Sequence, residues 1–409
     1  MAKHVAQNRP RVALIVETSV VYGREIHEGI AAYVHAHRPW SIFVEQRELG
    51  ALPPRWLTRR DWDGIISRPT TPALARTFRR RGLAVVDLND LHANLGLPRV
   101  RSDNRAIGHM AATHLIDRGF RQFAFCGFAG EAWSIERREG FVAAIRAAGF
   151  ETSIYESYWR GPRVLAWDAD QDRITRWLAR LPRPLGISAC NDLRGQHVLE
   201  ACRRANLAVP EDVAVIGVDN EELLCRLCDP PLSTVIPSAR RIGYEAAQLL
   251  DGLMSGAAPP HGETLIPPAG VITRQSTDTL AIGDPEVGAA LRFIRENACE
   301  GIRVVDVLRQ IPISRSLLER RFRQTIGRSP HAEIRLVQVR HAAQLLAESD
   351  LPLKRIAQLS GFSYTEYLSY FFKRAMGQTP RDYRRSHSTK GPGSAHAETG
   401  RFPPQLHHQ

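Results

Sequence analysis

The chain has 409 residues, of which 43% are hydrophobic and 24% are charged, and its formal net charge is +12. This composition is ordinary for a globular protein, and the length is enough for two or three domains. No apolar run approaches the roughly 20 residues needed to cross a bilayer, and the first run, 12–16, is too short for a signal peptide. We therefore expect a cytoplasmic protein with no membrane partner.

The cysteines and histidines do not predict a metal site. Cys225 and Cys228 have the spacing of a redox or zinc pair, but no second Cys or His pair accompanies them. We interpret all six cysteines as reduced thiols. The tail histidines, which could bind a metal adventitiously, are His387, His396, His407 and His408. We expect no functional metal, no cofactor and no catalytic residue.

Short apolar runs alternate with amphipathic stretches from residue 11 to residue 276. The predicted strands are 12–16, 41–45, 64–66, 84–88, 122–126, 152–155, 185–189 and 213–218. The predicted helices are 23–35, 105–118, 134–148, 170–180, 193–205 and 238–254. Continuous apolar strands separated by helices predict parallel sheets covered on both faces, and the length favours two sheets in two lobes. The cleft at the carboxyl ends of the strands is the expected ligand site.

The remaining chain is divided by composition. We predict an N-terminal arm over 1–10, a ligand-binding domain over 11–276, a linker over 277–284, an all-helical domain over 285–385 and a disordered tail over 386–409. Residues 284–385 carry 18 Lys and Arg against 11 Asp and Glu, which is more than half of the excess positive charge in a quarter of the chain. Clustered arginine favours contact with phosphate, although a solvated surface is the alternative.

Two helix-turn-helix patterns stand in tandem in the helical domain. In the second pattern, Gly361 supplies the turn and Ser363 or Thr365 is placed to cap the following helix. The predicted recognition helices are 315–325 and 365–375, and the helix between the motifs spans 331–347. At ~26 Å long, it suits recognition helices in successive major grooves, which lie ~34 Å apart. One subunit could therefore read two adjacent grooves.

The second motif resembles that of the AraC/XylS family. The matching residues are Ile356-Ala357, Gly361-Phe362, Tyr367, Phe371, Lys373, Gly377, Thr379-Pro380 and Tyr383-Arg384. The resemblance implies base contacts from Arg315, Ser316, Glu319, Arg320, Thr365, Glu366, Ser369 and Tyr370. The candidates for phosphate contact are Arg321, Arg323, Lys373, Arg374 and Arg384, although several of these arginines could be solvated helix faces.

Residues 11–275 resemble the effector domain of LacI/GalR repressors, a two-lobed fold of the periplasmic-binding-protein type (type I). The resemblance lies in Val86-Asp87, Arg101–Asn104, Arg137–Phe141, Asn191-Asp192, Gly217–Asn220 and Pro230–Val235. It implies sugar hydroxyl ligands at Asp87, Arg137, Asn191 and Asp219, with Tyr22, Arg24 and Trp133 near the cleft mouth or stacking on the sugar. The alternatives are a capping or turn role for each Asp, and core packing for Trp133.

Repressors of that family carry a helix-turn-helix before the first strand. Only ten residues precede Arg11, so we expect DNA to be read by the C-terminal domain. A LacI-like sensor followed by an AraC-type reader resembles the arrangement of bacterial regulators of pentose operons. The resemblance implies a sugar-responsive transcription regulator that activates pentose catabolism genes, with D-xylose as effector. Another monosaccharide is the alternative, because Pro237 stands where related sensors often carry a polar residue.

The implied partners are double-stranded DNA with tandem half-sites, a second copy of the chain in a homodimer, and RNA polymerase. Two other classes of protein are alternatives. A sugar-modifying enzyme on a doubly wound fold would leave the DNA-binding motifs unexplained, and no nucleotide-binding or hydrolase motif is present in the sequence. A transport-type binding protein is opposed by the basic helical domain.

Overall fold

The computed structural model describes residues 9–48, 51–58, 60–90, 92, 95–260, 262–278, 284–326, 328–349 and 351–387. The chain divides into two compact units, Met1–Ala281 and Ile282–Gln409. Most of the predicted arm, linker and tail lies outside the described residues. Thr277, the first residue of the predicted linker, is fully buried in the first unit, and Asp284, the last, caps the first helix of the second unit. No helix in the described ranges is long and apolar enough to cross a membrane.

The first unit alternates strands and helices. In chain order these are β1 (Arg11–Ile15), α1 (Val21–Ala36), β2 (Ser41–Val44), β3 (Gly64–Ser67), α2 (Pro72–Arg80), β4 (Ala84–Asp87), β5 (Arg99–Ser102), α3 (Asn104–Ile116), β6 (Gln122–Ala129), α4 (Ala132–Ala147), β7 (Thr152–Tyr158), α5 (Trp167–Ala179), β8 (Leu185–Ala189), α6 (Asp192–Arg204), β9 (Val213–Val218), α7 (Glu222–Leu227), β10 (Ser233–Ile236), α8 (Ala239–Met254), β11 (Glu263–Ile266) and β12 (Gly270–Ile272). Two short 3-10 turns also occur in this unit, at Arg55–Thr58 and Gln275–Thr277.

Two six-stranded sheets form two lobes, as the apolar strand pattern predicts. The first lobe has the strand order β11-β5-β4-β3-β1-β2 and is entirely parallel. The second has the order β12-β10-β9-β8-β6-β7, and only β12 runs antiparallel. The chain crosses between the lobes three times, after β5, after β10 and after β11. Parallel strands place their carboxyl ends at one edge of each sheet, so the two edges can share a ligand.

Four strands of the two sheets were not predicted, and their sequences explain the reason. β5 (RVRS), β10 (STVI) and β11 (ETLI) are short and at least half polar, and β12 (GVI) has only three residues, so none of them forms an apolar run of strand length. In β5, two arginines are neutralised by the neighbouring strand. Arg101 contacts Glu263 at 2.9 Å and Arg99 contacts the same carboxylate at 3.1 Å. Such cross-strand pairing is visible only once the strands are placed side by side.

Helices α1 and α8 pack closely over the first sheet because glycines face each other's backbone. A Cβ at Gly29 would lie 1.9 Å from the Arg240 carbonyl oxygen, and one at Gly243 would lie 2.0 Å from the Ile26 carbonyl oxygen. Ile26, Ile30, Ile242 and Leu250 are fully buried in the core that this contact closes. The absence of side chains at two positions therefore sets the distance between the helices.

The second unit is all helical, as predicted. Its helices are α9 (Pro285–Asn297), α10 (Val304–Gln310), α11 (Arg315–Ile326), α12 (Pro330–Glu348), α13 (Leu353–Leu359), α14 (Thr365–Met376) and α15 (Pro380–His387). One buried cluster joins α9 to α11 and the start of α12, and another joins the end of α12 to α13 and α14. The fully buried Gln338 of α12 links the two halves, since its Nε2 donates to the carbonyl oxygens of Ala298 at 2.7 Å and Gly361 at 3.2 Å.

A pair of alanine substitutions in α8 tests the close packing. Gly243→Ala forces a methyl group into backbone atoms and should lower the free energy of unfolding by about 1–3 kcal/mol, as overpacking does. Gly252→Ala in the same helix meets only Ala257 at 3.6 Å and should raise stability by about 0.5–1 kcal/mol, because alanine is the better helix former. Chemical denaturation of the two variants measures both effects. Equal stability of the two variants would contradict the packing argument.

Candidate ligand cleft and DNA-contact helices

A cavity of about 220 Å³ lies between the two sheets, among residues that follow the carboxyl ends of the strands. The first lobe lines it with Glu17, Tyr22, Arg68, Asn89 and Asp90, among others. The second lobe contributes Trp133, Arg137, Trp159, Arg160, Asn191, Asp192, Asp219 and Glu221. The walls therefore combine carboxylates, guanidinium groups, two amides and two indole rings.

Arg137, on α4, joins the strand ends of the second lobe. It is buried, its Nε donates to Asn104 Oδ1 at 3.0 Å, and its Nη1 donates to the Cys190 carbonyl oxygen at 2.6 Å. Its Nη2 donates to Asp219 Oδ1 at 3.3 Å, and the guanidinium carbon lies 5.0 Å from the centre of the Trp133 ring. One side chain thus fixes the cation, the carboxylate and the aromatic ring of the cleft in relation to one another.

The turn after β9 holds Asp219 in an unusual backbone conformation. Asp219 has φ 108° and Asn220 has φ 54°, both in the region that favours glycine. Such backbone costs on the order of 1–3 kcal/mol per residue and persists only where the surroundings hold it. Here Asp192 accepts hydrogen bonds from the Glu221 backbone N–H at 2.8 Å and from the Thr234 hydroxyl at 2.6 Å.

The carboxyl groups of Asp192 and Asp219 are poorly solvated. Burial raises the pKa of Asp192 to about 7, and the neighbouring Asp219 adds to the effect. Burial also raises the pKa of Asp219, while Arg137 opposes the increase. A ligand that donates hydrogen bonds to Asp219 would stabilise its ionised form.

The first lobe supplies a second cation with incomplete hydrogen bonding. Arg68 pairs with Glu17 and, at 3.3 Å, with Asp90, and it lies over the Tyr22 ring at 4.8 Å. Arg68 Nε and Asp90 Oδ1 are nevertheless buried without a hydrogen-bond partner in the part of the chain that the structure describes. One lacks an acceptor and the other lacks a donor. A hydroxyl group can serve as both donor and acceptor.

Five of the seven predicted sugar residues line this cavity: Tyr22, Trp133, Arg137, Asn191 and Asp219. Arg24 does not, because its guanidinium extends from the first lobe to Glu221 of the second at 3.1 Å. Asp87 does not either. It is almost completely buried at the end of β4, where burial raises its pKa to about 6 and it accepts a hydrogen bond from the Asn89 backbone N–H at 3.3 Å.

The cavity also contains residues that the sequence reasoning missed. Asn89 and Asp90 lie just beyond the predicted strand 84–88, and Arg68 lies just beyond the predicted strand 64–66. Their position after apolar strands was the available signal. Trp159 lies after β7, where its ring meets Phe128 edge-on at 5.0 Å. No motif marked it.

In the second unit, the first predicted recognition helix exposes the expected face. Helix α11 buries Leu318 and Phe322, while Arg315, Ser316 and Arg320 are exposed and Glu319 is half-buried. Arg315 Nε donates to Glu319 Oε1 at 3.1 Å, an i,i+4 pair on the outer face. These four side chains therefore form one polar surface.

The second recognition helix, α14, follows the same rule. It buries Leu368 and Phe372, exposes Glu366, Tyr370, Lys373 and Arg374, and leaves Thr365 and Ser369 half-buried. The predicted cap is wrong: the residue before the helix is Tyr364, and no side chain caps it. Tyr367, one of the residues that carry the AraC/XylS resemblance, is 57% exposed. Three tyrosines of the segment, at 364, 367 and 370, therefore lie on the surface.

Two arginines predicted for phosphate contact have partners inside the unit. Arg321 pairs with Glu286 at 3.1 Å and with Asp284 at 3.5 Å, which ties α11 to the start of α9. Arg384 Nη2 donates to the Leu351 carbonyl oxygen at 2.6 Å. Arg323, Lys373 and Arg374 are exposed. The phosphate-contact prediction is therefore best supported for the last three.

Known protein families match residues in both units. A family model described as a periplasmic binding protein-like domain matches residues 112–277, and one described as a helix-turn-helix domain matches residues 307–386. The xylose operon regulatory protein of Haemophilus influenzae is 34% identical over 384 residues, covering 91% of this chain and 98% of the relative. That of Escherichia coli K12 is 33% identical, with coverage of 92% and 97%. The chain belongs to the xylose operon regulatory protein family.

A solved structure supports the same assignment. The xylose-binding transcription activator xylR superposes with a TM-score of 0.77 at 32% identity, covering 93% of this chain and 99% of the other. Membership of this family makes the protein a DNA-binding transcription regulator and not an enzyme. The predicted fold class, a two-lobed α/β sensor followed by a helix-turn-helix domain, is confirmed. Within the described residues, no three His, Cys, Asp or Glu side chains are grouped as metal ligands.

Asp192 provides a prediction about pH. Its folded pKa of about 7 exceeds the ordinary value of 3.8, so the folded state binds the proton more tightly than the unfolded state. The contribution of Asp192 to stability is therefore complete below about pH 4 and is lost as the pH rises toward about 7. Asp192→Asn removes this titration and can still pair with the Glu221 N–H and Thr234. Chemical denaturation at several pH values should show that the free energy of unfolding of Asp192→Asn increases relative to that of the wild type as the pH rises.

The control for this experiment is Glu151→Gln, which changes an exposed carboxylate outside the cavity. Its stability should follow the wild-type pH profile. If Asp192→Asn also followed the wild type at every pH, Asp192 would not be titrating in this range.

Proposed function

We propose that the protein is a sugar-responsive regulator that binds D-xylose in the cleft between its lobes and then activates pentose catabolism genes. The observation that carries the ligand class is the pair of buried, unpartnered atoms Arg68 Nε and Asp90 Oδ1 in residues that line the cavity. Adjacent sugar hydroxyls supply a donor and an acceptor together. Trp133 and Trp159 offer apolar ring faces for the carbon skeleton.

The names of the relatives support D-xylose over other sugars. Two proteins that align with this chain over nearly their whole length are regulators of xylose operons, and the aligned structure is described as xylose-binding. In this chain, Asp219 and Arg137 would bind hydroxyls from the second lobe. Asp90 and Arg68 would do so from the first. A ligand held from both lobes stabilises the arrangement in which the lobes are close together.

The proposal extends to the partners. Helices α11 and α14 expose polar faces that suit the major groove, and the 19-residue α12 between them spans ~28 Å. We propose that one subunit binds two successive half-sites of double-stranded DNA in the cytoplasm. Homodimerisation and contact with RNA polymerase complete the proposal for an activator.

Ligand addition tests the sensor directly. D-xylose should raise the melting temperature of the full chain, because a ligand that binds the folded state at 100 times its Kd adds about 2.7 kcal/mol of stability. L-arabinose, D-ribose and D-glucose at equal concentration show whether another monosaccharide is preferred. No stabilisation by any of them would contradict a sugar-binding cleft.

Asp219→Asn should weaken D-xylose binding by roughly 10-fold or more, since a hydrogen bond to a charged group contributes about 1.5–3 kcal/mol. Asparagine tolerates positive φ, so the turn is retained. Asp172→Asn, an exposed carboxylate on α5, is the matched control and should bind as the wild type does. Isothermal titration calorimetry measures all three proteins, and equal affinities would remove Asp219 from the site.

Two substitutions separate base reading from phosphate contact. The probe is the duplex that the wild-type protein enriches from a random library. Arg320→Ala should cost about 1–3 kcal/mol on that duplex and relax its sequence preference at one position. Lys373→Ala should weaken binding to all duplexes alike and reduce the salt dependence by about one ion. Arg241→Ala, in the first unit, should change neither property. Fluorescence anisotropy over a salt series measures each, and identical behaviour of all three variants would contradict the assignment.

A further inference from the structure

The turn that carries Asp219 is hydrogen-bonded to the segment that leads into the DNA-binding unit. Asn220 Oδ1 accepts a hydrogen bond from Arg274 Nη2 at 2.8 Å, and Arg274 Nη1 also donates to the Leu232 carbonyl oxygen at 2.9 Å. Arg274 lies ten residues before Asp284, where the second unit begins to be described. The residue next to a cleft carboxylate is thus held by a side chain close to the junction of the units.

The segment that follows Arg274 is firmly attached to the second lobe. The fully buried Ser276 donates from Oγ to the Val215 carbonyl oxygen at 2.6 Å, and the equally buried Thr277 donates from Oγ1 to Ser233 Oγ at 2.7 Å. Arg118 Nε donates to the Thr277 carbonyl oxygen at 2.7 Å. Residues 276 and 277 therefore move with the second lobe and not as a loose chain, so a shift of that lobe relative to the first reaches Asp278.

The cleft end of this connection borders the cavity and both lobes. Asp219 lines the cavity, and the next two residues are held by second-lobe side chains: Asn220 N–H donates to Thr234 Oγ1 at 3.2 Å, and Glu221 N–H donates to Asp192. Glu221 in turn accepts from the Val21 N–H of the first lobe at 3.0 Å. The turn 219–221 therefore contacts the cavity, the opposite lobe and Arg274.

We infer that Arg274 is a positioning residue that transmits the occupancy of the cleft, through Asn220, to the segment entering the DNA-binding unit. The inference rests on the proposed function, because it assumes that sugar binding changes DNA affinity. A role confined to stability would require only that Arg274 hold the fold together. A transmitting role requires that its loss uncouple the two binding events.

The test uses the full chain, D-xylose and the duplex enriched by the wild type. DNA affinity is measured without sugar and at saturating D-xylose, and the ratio of the two is the coupling. For the wild type we expect a ratio of about 5- to 150-fold. Arg274→Gln should weaken D-xylose binding only several-fold and bring the coupling to within about two-fold of unity. Arg241→Gln, which removes an exposed arginine of α8, should retain the wild-type ratio.

A second variant breaks the same hydrogen bond from the other side. Asn220→Gly removes the acceptor while keeping the positive φ without strain, so it covers the case in which Arg274→Gln fails to fold. It should lose coupling as well, and the double variant should lose no more than either single variant, because both remove one interaction. Restored coupling in Arg274→Lys, which keeps one donor, would further support transmission.

The outcomes are distinct. A wild type whose DNA affinity is unaffected by D-xylose, or by the sugar that binds best, overturns both the proposed function and this inference. A coupled wild type whose coupling persists in Arg274→Gln and Asn220→Gly overturns the inference alone. Coupling that is lost in both variants and kept in Arg241→Gln supports it.

Discussion

The buried Arg137 guanidinium is the group on which the ligand end of the second lobe depends. Three chain segments deliver acceptors to it: the start of α3 through Asn104, the end of β8 through the Cys190 carbonyl, and the turn after β9 through Asp219. Removing one partner of such a buried pair leaves an uncompensated charge and typically costs 3–5 kcal/mol. Arg137 therefore serves both the chemistry of the cleft and the folding of its edge, since the residue that would hold the sugar also holds the strand ends together.

The sequence predicts the central strands well because they are buried on both faces. β8 and β9 are continuous apolar runs, and both were placed at their observed bounds. β5 and β11 were invisible, since their arginines and glutamate become compatible with a sheet only when they pair across strands. The same reasoning applies to the cleft. Asp219 directly follows an apolar strand and Asn191 lies two residues after one, and the LacI-type resemblance named both, whereas Arg68 and Asp90 also follow apolar strands but belong to no motif that singled them out.

The helical unit shows where helical periodicity is informative and where it is not. In α14, Leu368 and Phe372 are buried four positions apart, whereas the aromatic residues Tyr367 and Tyr370 are exposed. Single exposed aromatic side chains are common on protein surfaces, so hydropathy alone does not assign them to the core. Gln338 is the reverse case, a polar residue that is buried. A polar side chain in the middle of α12 is expected on the surface, yet Gln338 is fully buried because the end of α9 and the turn between α13 and α14 present carbonyl groups to it.

The cleft gathers features that lower the stability of the free protein. Burial raises the pKa of Asp192 and Asp219, two non-glycine residues have positive φ, and Arg68 and Asp90 keep unpartnered atoms. Proteins commonly retain such departures at functional sites, where local consistency is given up for binding. A polyhydroxylated ligand supplies donors and acceptors that relieve several of these costs at once. Its binding energy then depends on the turn 219–221 keeping its shape, and that turn is hydrogen-bonded to Arg274. The strained turn is thus also the part of the cleft that is bonded to Arg274, so under the proposed function relief of strain and transmission of the signal would involve the same residues.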